Sequence, residues 1–170
     1  MPRRLRRRSY SRGRPLKTVK YSNETYNCSG NITFNTGSGD GAVGDQVNTT
    51  LITAVATQGM RKVKNFTLKM ITDVDIPLLW ALVYVPDGTV PQSMSLGTPA
   101  APVSLYEPNQ NVIMSGYLTP NAQQTQVFRT RLARNLNSGD CIVLCLKVSI
   151  PGTEITDKFL GVQLNYAIKN

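Results

Sequence analysis

The sequence predicts an all-β domain, an antiparallel sandwich of about eight strands. Three observations carry this. Apolar residues recur with a period of two in short segments, clusters of Gly, Pro, Asn and Asp separate those segments, and no segment shows a helical period capped at both ends. Charged residues are 17% of the chain while Thr, Asn, Ser and Val are plentiful, which suits a β domain with a polar, weakly charged exterior.

The segments follow in order. Tyr26–Asn35 and Val47–Ala56 carry the pattern least regularly, as does Asn111–Gly116. Val63–Ile71 sets Phe66, Leu68 and Met70 against Asn65, Thr67 and Lys69, the alternation of a half-buried strand. Leu78–Val85 is apolar throughout and bounded by Pro77 and by Pro86-Asp87-Gly88, as expected of a strand covered on both faces. Its Trp80, the sole tryptophan, is the expected core anchor. Gln124–Leu132 sets Gln126, Phe128, Thr130 and Leu132 against Val127, Arg129 and Arg131. Cys141–Val148 sets Ile142, Leu144, Leu146 and Val148 against Cys141, Val143, Cys145 and Lys147. Phe159–Ile168 sets Val162, Leu164, Tyr166 and Ile168 against Gln163, Asn165 and Ala167. Turn clusters at Asn35–Asp45, Pro86–Pro102, Leu118–Gln123, Asn135–Asp140 and Pro151–Asp157 separate them. Several of these are long, which favours a sandwich or closed barrel over a meander of tight hairpins. Among sandwiches, the single eight-stranded jelly roll accommodates long loops at its ends.

Charge divides the chain. Residues 1–20 hold Arg3, Arg4, Arg6, Arg7, Arg8, Arg12, Arg14, Lys17 and Lys20 and no acidic residue. Residues 21–170 hold ten Lys/Arg and ten Asp/Glu, so the net charge of +9 sits in the first twenty residues. Unpaired guanidinium groups at that density cannot enter a core, which makes 1–20 a basic, flexible N-terminal arm and 21–170 the domain. Pro2, Gly13, Pro15 and the scarcity of apolar residues leave no apolar helix face, against a transit peptide. The start lacks the apolar core of a secretory signal, and no apolar run reaches the roughly 20 residues of a membrane span.

Catalytic and cofactor chemistry finds little footing, and no cofactor or metal is expected. There is no histidine, the commonest general base and the partner of most nucleophiles. Cys28, Cys141 and Cys145 offer at most two ligands from the i, i+4 pair and read as buried thiols. Asp73 and Asp75 at a strand end, or Asp40 and Asp45 in a Gly-rich loop, could share a divalent cation; solvated carboxylates are the plainer reading. Gly39-Asp40-Gly41-Ala42-Val43-Gly44 matches G-x-G-x-x-G, but β-prone residues follow it and its aspartates would repel phosphate, so it reads as a mobile loop. Five Asn-x-Ser/Thr triplets begin at Asn23, Asn27, Asn31, Asn48 and Asn65; without export they would stay bare.

Binding chemistry is dense in the arm. Each arginine offers forked donors to phosphate, and Tyr10 and Tyr21 could stack on bases. If all nine cations engaged a single strand, log K would fall against log salt with a slope of about −6. No rigid element there could read base edges, so binding should be sequence-independent. A charged appendage on a neutral β domain suggests two tasks: the arm condenses a polyanion, and the domain packs against its own copies as a shell.

Specific residues extend that reading. Trp80-Ala81-Leu82-Val83-Tyr84-Val85-Pro86-Asp87-Gly88-Thr89 precedes Ser104-Leu105-Tyr106-Glu107-Pro108-Asn109-Gln110-Asn111-Val112-Ile113-Met114-Ser115-Gly116, and Arg134-Asn135-Leu136-Asn137-Ser138-Gly139-Asp140 follows. The series resembles the capsid proteins of small circular Rep-encoding single-stranded DNA viruses, the circovirus-like group. The resemblance covers the arm and roughly residues 60–170, with a shorter arm and smaller domain than circovirus proteins proper. It implies a jelly roll assembling into a small icosahedral T=1 shell of about 60 copies, with the arm facing inward onto circular single-stranded DNA. It also implies that the arm serves as a nuclear localisation signal read by host import machinery, and that the protein is found in the virion and the host nucleus. The polyanion could equally be RNA, as in a small single-stranded RNA or satellite virus, and a cellular, non-assembling nucleic-acid-binding β protein is a further alternative. Pro86–Pro102 and Tyr106–Asn111 are the expected contacts between copies. Arg129 and Arg131, on one strand face, could line the shell interior or pair with acidic residues of a neighbour.

Overall fold

The computed structural model describes residues 20–35, 46–56, 59–97, 99–102, 111–121, 123–150 and 154–169. These form eight strands and no helix: β1 (Ser22–Phe34), β2 (Gln46–Ile52), β3 (Arg61–Thr72), β4 (Leu78–Val85), β5 (Asn111–Leu118), β6 (Gln126–Leu136), β7 (Cys141–Val148) and β8 (Ile155–Lys169). All pairings are antiparallel, in two sheets of order β1-β8-β3-β6 and β2-β7-β4-β5. The chain changes sheet at every connection except that from β4 to β5.

The two sheets face each other across one apolar core. The first contributes Phe66, Leu68, Met70, Val162 and Leu164; the second contributes Trp80, Leu82, Ile142, Leu144 and Leu146. Period-two alternation places these residues inward and their neighbours outward, as the sequence predicts for most of β3, β6 and β8. At Asn65 the pattern changes. Its φ of 56° puts it in the left-handed region, the register slips there on both sides of β3, and Val63 and Phe66 both end up fully buried. The uninterrupted alternation expected over Val63–Ile71 is therefore corrected by a β-bulge, which asparagine tolerates better than most residues. The facing slip on β6 leaves Leu132, expected inward, 46% exposed.

Leu78–Val85 is covered on both faces for a visible reason. Leu79, Ala81, Val83 and Val85 point away from the main core and, with Val143 and Cys145, pack under Met94 and Leu96 from the connection after β4. Two side chains hold that connection down. The Gln46 amide donates to Gln92 O at 2.9 Å and accepts from Met94 N at 2.6 Å. Its register partner Lys147, 3% exposed, donates from Nζ to Ser93 Oγ at 3.0 Å and Met94 O at 2.8 Å. Residues 92–96 thus lie back on the sheet, while Val90 is 78% exposed.

Lys147→Met should cost about 1–3 kcal/mol in denaturant unfolding, because it strips Met94 O of a buried donor. Burial also pushes the Lys147 amine below its ordinary pKa. The unfolded chain then binds more protons between the lowered folded value and 10.5, so native stability rises with pH across that window. The variant should lose this rise.

Candidate nucleic-acid interface

The outer faces of the two sheets differ. One is roofed by the β4–β5 connection; on the other, period two sends a different set of residues outward. From β3 these are Lys62, Lys64, Asn65, Thr67, Lys69 and Ile71. Opposite them lie Val127, Arg129 and Arg131 of β6, and Phe159, Gly161, Gln163, Asn165, Ala167 and Lys169 of β8. Register fixes transverse rows: Thr25, Asn165, Thr67 and Arg129 form one, and Asn27, Gln163, Lys69 and Val127 the next.

Six of the domain's ten cations, Lys62, Lys64, Lys69, Arg129, Arg131 and Lys169, therefore share one sheet face. The exposed acidic residues on its strands are Glu24 and Asp157, on β1 and β8 and away from the six cations in register. Lys62 and Lys169 are direct register partners, a like-charge pair that costs roughly 0.2–1 kcal/mol when nothing neutralises it. A domain that sums to zero is thus polarised, which corrects the expectation that positive charge is confined to the arm. The Lys64 ammonium lies 3.8 Å from the centroid of the Tyr21 ring, a cation–π contact that brings residues 20 and 21 onto this face, with Lys20 exposed.

Arg129 and Arg131 are exposed on this face and lie together at a shallow recess beside Asn65 and Thr67. Arg3, Arg4, Arg6, Arg7, Arg8, Arg12, Arg14 and Lys17 lie outside the described residues, as do Asp40, Asp45, the Gly39–Gly44 string and the contact candidates Tyr106 to Gln110. Period-two reasoning had already marked Lys69. The other lysines of the face were missed because the charge was counted along the chain and not across the sheet.

The same geometry accounts for most Asn-x-Ser/Thr triplets. Asn23 and Thr25, Asn27 and Ser29, and Asn31 and Thr33 occupy alternate outward positions of β1, and Asn48 and Thr50 do so on β2. A strand with a polar outer face repeats polar residues two apart, and Thr25 Oγ1 bonds Asn165 Oδ1 across the face at 2.7 Å. The remaining candidate groups have local work. Asp73 Oδ1 accepts from Phe159 N at 2.6 Å, and no cluster of three or more His, Cys, Asp or Glu able to hold a metal occurs among the described residues. Cys145 is buried, whereas Cys28 and Cys141 are half-buried; all three are reduced, and burial raises the Cys141 pKa, with Asp140 adding to it.

At the end of the sandwich, the Arg134–Asp140 stretch has a structural task. Asp140, 3% exposed, accepts from Tyr84 Oη at 2.6 Å, Asn137 N at 2.7 Å and Asp87 N at 3.0 Å, tying the β6–β7 turn to the end of β4. Gly139, at φ 86°, lies against Asp87, where a Cβ would overlap the carboxyl group. The Asn-Ser-Gly-Asp string is a corner lock, legible in the sequence only as a turn. No protein family matches the chain, and no curated protein matches it.

Proposed function

We propose that the chain is a non-enzymatic coat protein that packages single-stranded nucleic acid, with the bare cationic sheet face and the arginine arm turned together toward the polyanion. The observation that carries this is the register pairing of Lys62 with Lys169 on a face holding six cations, against which Tyr21 lies. Such a face is self-repelling until phosphate neutralises it. The strand orders β1-β8-β3-β6 and β2-β7-β4-β5 support a jelly roll, since that fold interleaves its first and last strands in one sheet. Copies of the chain are its protein partners, in a closed icosahedral T=1 shell of about 60. Circular DNA as cargo, import into the host nucleus and assembly into a virion rest on the resemblance to circovirus-like capsid proteins.

Binding to a single-stranded oligonucleotide across a salt series tests the electrostatic part. The arm alone gives a limiting slope of about −6, whereas arm and face together approach about −10. Replacing Lys62, Arg129 and Arg131 by Gln should reduce the slope by about 2 if they touch phosphate. An unchanged slope would remove the face from the interface. Assembly is read separately, by negative-stain microscopy and light scattering of nuclease-treated protein with and without added nucleic acid. A small oligomer under every condition would end the coat-protein reading. Deletion of residues 1–20 should lower nucleic-acid content and leave the domain folded.

A further inference from the structure

The cationic face carries one depression that charge alone does not explain. It is about 890 Å³ and crosses all four strands, bordered by Asn27, Lys69, Ile71, Val127, Phe159 and Gln163, with Gly161 at its floor. Four strands at about 4.8 Å spacing make the trough roughly 14 Å long. Gly161 keeps it open: a Cβ there would come within 2.8 Å of Ile71 Cγ2 and 3.4 Å of the Phe159 ring. Phe159 is 39% exposed and Val127 45% exposed, so apolar surface is left uncovered in the middle of a polar, cationic sheet.

We infer that this trough receives one unstacked base of a single-stranded nucleic acid, whose phosphates run over Lys69, Arg129, Lys64 and Lys62. The inference rests on the nucleic-acid reading above and adds the part of the ligand that charge does not specify. A base presents a flat apolar face to Phe159, and its edge donors and acceptors suit the Asn27 and Gln163 amides, register partners side by side in one row of the trough. Lys69 lines the trough itself and so joins base site to phosphate track. Asp73, whose carboxylate holds the Phe159 amide, limits the anionic path to the opposite, lysine-bearing end. A duplex keeps its bases stacked inside and could not use the trough.

The test compares full-length protein binding to a 20-nucleotide oligothymidine with binding to an abasic sugar–phosphate strand of equal length. Phe159→Ala, whose backbone contacts survive, should weaken oligothymidine binding about 5- to 20-fold and leave the abasic strand unaffected. Val127→Ser should act in the same direction, more weakly. Lys69→Gln should weaken both strands and lower the salt slope by about 0.7. Circular dichroism and thermal unfolding confirm that each variant is folded. If wild-type protein binds both strands equally, or Phe159→Ala affects both equally, the base site is wrong while the electrostatic face stands. If wild-type protein binds neither at low salt, the nucleic-acid reading itself fails. A duplex of equal length bound as tightly as the single strand, with the same loss on Phe159→Ala, or polyglutamate competing as well as oligothymidine, would also overturn the base site.

Discussion

Trp80→Ala is expected to lower the free energy of unfolding by about 3–5 kcal/mol, measured by urea denaturation with far-UV circular dichroism as probe. Trp80 is 1% exposed and joins the two sheets, its ring centroid 4.5 Å from that of Phe128 at an interplanar angle of 53°. Space for the indole comes from Gly116, its register partner on β5, where a Cβ would sit 3.2 Å from the ring. Gly116→Ala should therefore cost about 1–3 kcal/mol through overpacking. In the Trp80→Ala background that cost should nearly vanish, a coupling that a double-mutant cycle reads directly. The indole Nε1 is buried without a hydrogen-bond partner, so Trp80→Phe should be far milder than Trp80→Ala.

The second large effect belongs to Asp140. Removing its carboxylate in Asp140→Ala orphans a tyrosine hydroxyl and two backbone amides, at an expected cost of about 3 kcal/mol or more. The pH profile distinguishes this from simple loss of packing. Burial by itself would raise the Asp140 pKa, but the bonds from Tyr84, Asn137 and Asp87 outweigh it and hold the group below its ordinary value. Its stabilisation is therefore fully present above 3.8 and is lost as pH falls through the folded pKa. Tyr84 behaves oppositely. Burial first, then its bond to Asp140, pushes it up to about 12, so its contribution is full below 10 and disappears as pH climbs toward that value. Asp140→Ala should lose the acid dependence and shrink the alkaline one, as followed by thermal unfolding across pH.

Strand positions were legible in the sequence wherever one face is apolar and the other polar, as in β6 and β8. Leu78–Val85 was legible as doubly covered, though not what covers it: Met94 and Leu96 come from a Pro-containing stretch whose composition reads as a loop. The Asn65 bulge was hidden because a positive φ leaves no mark on hydrophobic pattern, and Val63 alone is too little to show the change of parity. The cationic face was hidden for a different reason. Net charge is a sum along the chain, whereas Lys62 and Lys169 are 107 residues apart and meet only through β3–β8 pairing. Gly161 is apolar and unremarkable until Phe159 and Ile71 are seen to lean over it.

The alternation of the chain between sheets governs when this protein can fold. In the first sheet β8 sits between β1 and β3, so β1 has no native neighbour, and β3 only β6, until β8 has been synthesised. Only the β4–β5 pair joins consecutive strands, and even that closes a long connection, a topology of high contact order whose folding falls in the millisecond-to-second range. Residues 1–20 are synthesised before any of the eight strands. Their nine cations are therefore in place before the sheet face and the trough, which exist only after β8 docks. Under the proposed function, the charge of residues 1–20 is thus in place before the domain folds, and the trough is not.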